Sequence, residues 1–201
     1  AINLTAGSTT WTNQDSSGAT VGNFVTKGGG ALNIASIGGV NKSLFVNTDL
    51  TKAVLSTATV PAALLGNGTR SVEVWVYPLT SAATSAAVGW GTSGNSLQSS
   101  FNYNTGGNGM FSGWNLDSSW NGTLPTGSWI LLTYTWDGTT FNGYTNGVLN
   151  KSIALGTMAT ASAALGVGGA RSATADAFQG YIADVRVHTG VLTAANVSNN
   201  Y

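Results

Sequence analysis

The sequence predicts an all-β chain, an antiparallel two-sheet β-sandwich of jelly-roll type closed by one short C-terminal helix. Three observations predict it. Runs in which apolar and polar residues alternate are broken by Gly, Asn, Ser or Thr about every 8–12 residues, the rhythm of a sandwich. Two dipeptides, Asp137-Gly138 and Asn146-Gly147, sit between strand-like runs and supply the positive φ angles that tight hairpins need. Helical periodicity is nearly absent. The 201 residues fit one domain spanning residues 1–201.

Taken in order, the first 60 residues are loose, with candidate strands around Ile2 to Thr5, Val21 to Thr26, Leu32 to Ile34 and Ser43 to Val46. Ser71 to Tyr77 alternates clearly: Val72, Val74 and Val76 share one face, and Glu73, Trp75 and Tyr77 the other. Ser128 to Trp136 puts Ile130, Leu132, Tyr134 and Trp136 opposite Trp129, Leu131, Thr133 and Thr135, apolar enough on both faces for a central strand. The two hairpin turns then make a meander from about Trp129 to Ile153. A closing strand follows Gly180, and Thr193 is placed to cap a helix over Ala194 to Asn199.

Composition removes several functions. Charged residues are 7% of the chain and the formal net charge is zero, so no Lys/Arg cluster exists to replace phosphate counterions. Nucleic acid is excluded as a partner, and so is a polybasic membrane patch. No apolar run approaches a membrane span, so membrane insertion is not expected. Cysteine is absent, which rules out disulfides, thiolate nucleophiles and Cys-ligated metals. The chain opens on Ala1 without a visible signal peptide, as a processed mature protein or an excised domain does, and a secreted or cell-surface location is expected.

Carbohydrate recognition needs aromatic faces to stack on sugar rings, with amides and carboxylates to read hydroxyls. Phe101 to Gly122 holds that chemistry most densely: Tyr103, Trp114 and Trp120 lie among Asn102, Asn104, Asn115, Asp117 and Asn121, and Gly106, Gly107 and Gly109 mark a turn. The expected ligand surface is therefore Trp114 and Trp120 with Tyr103, Asn115 and Asp117 beside them, and Trp90 as a further candidate. Trp75, Trp129 and Trp136, each inside a strand pattern, are expected in the core.

Catalysis finds little support. Glycoside hydrolysis ordinarily takes two carboxyl groups flanking the bond, and Glu73 is the only glutamate, with Ser71, Trp75 and Tyr77 at matching spacing on its strand. A structural ion pair between Glu73 and Arg186, joining two strands, is the expectation. His188 is the only histidine, and no Gly-x-Ser-x-Gly elbow accompanies it. No catalytic residue and no metal ligand is assigned.

The ordered set of motifs SVEVWVYP (Ser71 to Pro78), GSWILLTYTWDG (Gly127 to Gly138), FNGYTNGVLN (Phe141 to Asn150) and GYIADVRVHTGVLT (Gly180 to Thr193) resembles the laminin-G-like branch of the concanavalin-A-like lectin and glucanase superfamily. The resemblance implies a concanavalin-A-like sandwich. Hydrolases of that superfamily carry two carboxylates on one strand, which this chain lacks, and its lyases lean on Tyr, His and Arg, for which His188 and Arg186 stand. Calcium is common there; with six Asp and no Asp-x-Asp, only Asp137 and Asp176 stand as weak candidates.

The leading expectation is a non-catalytic extracellular module that binds a glycan or polysaccharide, or serves adhesion. Second comes a self-assembling subunit of a filament, sheath or surface layer, partnered by copies of itself. The alternating Ala1-Ile2-Asn3-Leu4-Thr5 could pair at an edge, and the chain is poor in the Lys and Glu that keep sheet edges apart. A polysaccharide hydrolase or lyase ranks third.

Overall fold

The computed structural model describes residues 4–15, 21–81, 85–103 and 109–201. In chain order its strands begin β1 (Thr10–Trp11), β2 (Phe24–Thr26), β3 (Ile34–Ile37), β4 (Val40–Phe45), β5 (Val54–Thr59), β6 (Arg70–Pro78) and β7 (Ala86–Gly91). They continue β8 (Gln98–Asn102), β9 (Phe111–Ser112), β10 (Ile130–Trp136), β11 (Thr140–Thr145), β12 (Val148–Ala154), β13 (Ala164–Val167) and β14 (Gly180–His188). Two seven-stranded sheets result, ordered β1-β2-β5-β13-β7-β8-β9 and β12-β11-β10-β6-β14-β4-β3. Every strand pair is antiparallel. Of the expected first strand, residues 1–3 lie outside the described residues and Leu4 is buried in the core.

The core fills the space between the sheets. Ile130 pairs with Val76, Leu132 with Val74 and Tyr134 with Val72, and all six side chains are buried, so the two alternating faces meet as read. Tyr134 stands at the centre of a ring cluster with Phe101, Phe111 and Phe141, their centroids 4.9, 5.8 and 4.9 Å away. Fully burying such side chains contributes roughly 1.5–3 kcal/mol each.

Both hairpins form as read. Asn146 and Gly147 take φ of 49° and 78°, as the tight turn between β11 and β12 requires. Asp137 Oδ1 accepts hydrogen bonds from the backbone N–H groups of Thr139 and Thr140, closing the turn between β10 and β11. The C-terminal helix α2 (Ala194–Asn200) begins at Thr193, whose hydroxyl accepts from Asn196 N while Asn196 reaches back to Thr193 N, a reciprocal capping box. Val197 anchors the helix by complete burial.

The sequence did not predict strands β1, β5, β7, β8, β9 and β13, nor one short turn. The turn α1 (Ala170–Ala173) has Arg171, Ser172 and Ala173 in the left-handed region, at φ of 47°, 55° and 52°. It lies on the outer surface of the first sheet, where Gly89 and Gly166 leave room. A Cβ on Gly166 would stand 2.6 Å from Ala173 N.

Candidate ligand-binding surfaces

The outer face of the second sheet is built by strand register. Tyr77 on β6 pairs with Tyr181 on β14, and Tyr181 with Phe45 on β4. Because Ile130 pairs with Val76, Trp129 falls beside Tyr77 at the entry to β10. Four rings therefore form a row across four adjacent strands, roughly 14 Å at about 4.8 Å per strand. Phe45 and Tyr181 are stacked with centroids 4.4 Å apart, and Tyr77 meets Tyr181 and Trp129 edge-on at 6.0 and 5.7 Å. All four are half-buried. The Trp129 indole N–H donates to the Ile37 carbonyl at 3.0 Å, fixing the ring under the β3–β4 hairpin.

Trp75 and Trp129, expected in the core, lie on this outward face instead. Alternation fills the inward positions with Val74, Val76 and Ile130, so the odd-numbered neighbours point away. Trp136 is fully buried between the sheets.

Next to the ring row the same face carries charge. Asp184 Oδ2 lies 2.9 Å from Arg186 Nη2, and the other Arg186 nitrogen lies 3.9 Å from Glu73 Oε2. The expected Glu73–Arg186 contact exists, with Glu73 also held by closer partners, His188 at 3.1 Å and Asn200 at 2.9 Å. Burial raises the Glu73 carboxyl; hydrogen bonds from His188 and Asn200, with the charges of His188 and Arg186, outweigh it and leave the group below its ordinary value.

A second surface surrounds Trp114. Trp114 is exposed, as are Asn115 and Asp117, and Asp117 Oδ1 accepts the Gly113 N–H at 3.1 Å. Trp90, Tyr103 and Trp120 are buried and pack the core. The Trp90 indole donates to the Leu64 carbonyl, the Trp120 indole to the Asn102 carbonyl, and the Tyr103 hydroxyl to the Pro125 carbonyl. Trp90, on β7, and Trp120, in the loop, thus each find an N–H partner inside the fold. Asn104, Gly106 and Gly107 of this segment lie outside the described residues.

A recess of about 580 Å³ opens between the sheets, with Trp11, Phe24 and Leu165 on one side and Val185 and Val187 on the other. Polar side chains share its lining with the apolar ones, Asn13, Gln14, Asp15, Asp184, Arg186 and His188 among them. For calcium the described residues offer no cluster of carboxylates. Among the described residues no three acidic or imidazole side chains are grouped to hold a metal ion, and the Asp137 carboxylate is committed to its own turn. No helix among the described residues is long and apolar enough to cross a membrane.

Residues 51–198 match a family model, Laminin_G_3, of the concanavalin A-like lectin/glucanases superfamily. Among solved structures the chain is similar to domain 4 of AbnA, a GH43 extracellular arabinanase from Geobacillus stearothermophilus, in complex with arabinotriose. That match has 22% identity and a TM-score of 0.66, covering 94% of this chain and 92% of that one. It is also similar to the CBM40 of the Ruminococcus gnavus IT-sialidase bound to alpha2,3 sialyllactose, at 16% identity and a TM-score of 0.52, covering 68% and 82% of the two chains. The binding domain of botulinum neurotoxin serotype G matches at 18% identity and a TM-score of 0.58, covering 92% of this chain and 47% of that one. No curated protein sequence matches it. At these identities the likeness is one of fold.

Proposed function

Since the chain belongs to the concanavalin A-like lectin/glucanases superfamily, we propose that it works as a non-catalytic extracellular module that holds a glycan chain across the aromatic row of its second sheet. The observation that carries this reading is the in-register line Trp129–Tyr77–Tyr181–Phe45, half-buried rings on the outer face of a sheet. Phe45 and Tyr181 turn one face toward each other, so a sugar's C–H side would meet the aromatic surface that this packing leaves free, and Asp184 and Arg186 lie on the same face of the sheet to read hydroxyls. The neighbours' bound arabinotriose and sialyllactose are consistent with a sugar ligand.

A hydrolase needs a protonated carboxyl near working pH and a second carboxylate free to act. Glu73 has a lowered pKa and is buried under His188 and Asn200, and Asp184 is paired with Arg186. His188 and Arg186, the residues a lyase would draw on, are tied to the carboxylates of Glu73 and Asp184. We therefore read the domain as binding without bond cleavage.

The test is calorimetric titration against plant, algal and microbial polysaccharides, with Tyr181→Ala and Trp129→Ala beside the wild type. Each variant should bind at least about fivefold more weakly, the loss of a contact worth about 1 kcal/mol. Unchanged affinity in both folded variants moves the site off this face.

Self-assembly is the second reading, favoured by one observation. Val148 and Leu149, 68% and 52% exposed, sit on β12, an edge strand of the second sheet. Ordered polymers on a microscope grid, with no glycan bound, would give it precedence.

A further inference from the structure

Two strained backbone segments, far apart in the sequence, meet at Trp114. Trp114 and Asn115 adopt φ of 63° and 132°, and Arg171, Ser172 and Ala173 are left-handed as well. None of the five is glycine, and such conformations persist only where the surroundings enforce them, most often at functional sites. Their side chains converge: the Arg171 guanidinium lies 4.8 Å from the centroid of the Trp114 ring. Gln98, itself 1% exposed, holds the fork by accepting from Arg171 Nη1 at 3.1 Å while its own amide donates to the Ser112 carbonyl.

From this geometry we infer that the Trp114–Arg171 pair is a second sugar site, selective for a sugar that carries a carboxylate. Among the described residues no carboxylate pairs with Arg171, and Asp117, on the same loop as Trp114, is turned to Gly113 N. Gln98 occupies one guanidinium nitrogen, and no described residue accepts from the other two. Lys27, whose ammonium donates to the Ala173 carbonyl, adds positive charge at the same turn. A preset planar fork is the geometry that recognises a carboxylate bidentately. The adjoining recess of about 330 Å³, lined by Gly91, Thr92, Ser93, Ser172 and Thr174 beside Arg171, has room for the rest of the ring. The inference rests on the glycan-binding reading for its ligand class, and on different residues from the aromatic row.

The experiment titrates galacturonic acid oligomers, an N-acetylneuraminic acid-capped lactose, and their neutral counterparts into the wild type, Arg171→Gln, Trp114→Ala and Tyr181→Ala. An acid-bearing probe should bind the wild type at least about tenfold more tightly than its neutral partner, and whichever acid does so identifies the source. That preference should shrink as salt rises. It should vanish in Arg171→Gln, with a melting curve recorded beside it to show that the variant is folded, weaken in Trp114→Ala, and survive in Tyr181→Ala even where neutral binding is lost. Equal binding of acidic and neutral probes by the wild type overturns the proposal, and so does no binding of either acid. A preference lost in Tyr181→Ala and kept in Arg171→Gln overturns it too.

Discussion

Glu73 and His188, 115 residues apart in the chain, meet across β6 and β14 with His188 Nε2 3.1 Å from Glu73 Oε2. Glu73 pairs in register with Arg186, so His188 reaches it diagonally, and Asn200 donates from the last turn of α2. One carboxylate therefore ties the C-terminal helix and the closing strand to the centre of the second sheet.

Replacing Glu73 with Gln should therefore destabilise the fold. The buried site keeps its shape and loses an anionic acceptor, a cost of about 1–3 kcal/mol, or roughly 3–9 °C in Tm for a domain of this size. The folded carboxyl ionises below its ordinary value of 4.5. Its contribution is thus complete above about pH 4.5 and is lost as pH falls through the folded value. Thermal melts should show a gap between wild type and E73Q at pH 7 that narrows at pH 3. A gap that widens in acid contradicts the assignment.

Arg70 supplies a second test. Its side chain is fully buried with no acidic partner among the described residues. Its guanidinium donates to the carbonyls of Leu64, Gly66 and Gly68 and to the Thr160 hydroxyl, with Trp90 5.6 Å away. Arg70→Lys cannot fill this fork and leaves carbonyls unpaired, so a loss of about 1–3 kcal/mol is expected in denaturant melts. A loss within about 0.5 kcal/mol would mean the fork is dispensable.

The sandwich was legible in the sequence because Val72, Val74, Val76 and Ile130, Leu132, Tyr134 carry a period of two that only a strand face uses. Asn146-Gly147 and Thr193 were legible because each has a local backbone consequence. The aromatic row was not. Phe45, Tyr77, Trp129 and Tyr181 come together only through the register of four strands distant in sequence, and alternation cannot tell which apolar face turns outward. The left-handed turn at Arg171 was also hidden. It depends on Gly89 and Gly166 beneath it, on strands whose neighbours in space the sequence does not name.

The exposed edge of β12 makes a prediction about association. Val148→Lys with Leu149→Thr changes side chains that bury little, so stability should move by no more than about 0.5 kcal/mol. If copies pair along β12, the charged variant should sediment as a smaller species at high concentration than the wild type. Identical sedimentation of the two, with the wild type monomeric throughout, removes β12 from consideration.

The aromatic row makes the last prediction, through chain length. Trp129, Tyr77, Tyr181 and Phe45 lie in one line across β10, β6, β14 and β4, so a ligand sugar can add one ring contact at a time as it lengthens. Affinity should rise with the number of sugar units until the row of roughly 14 Å is covered, then level off. Tyr181→Ala, at the centre of the line, should interrupt the series and flatten the dependence. Phe45→Ala, at its end, should only bring the plateau one unit earlier. Both rings are half-buried, so melting temperatures must be read beside the titrations to separate lost contact from lost packing. Affinity that is flat with length from the first sugar onward would place the ligand on a single ring and rule the row out as a continuous track.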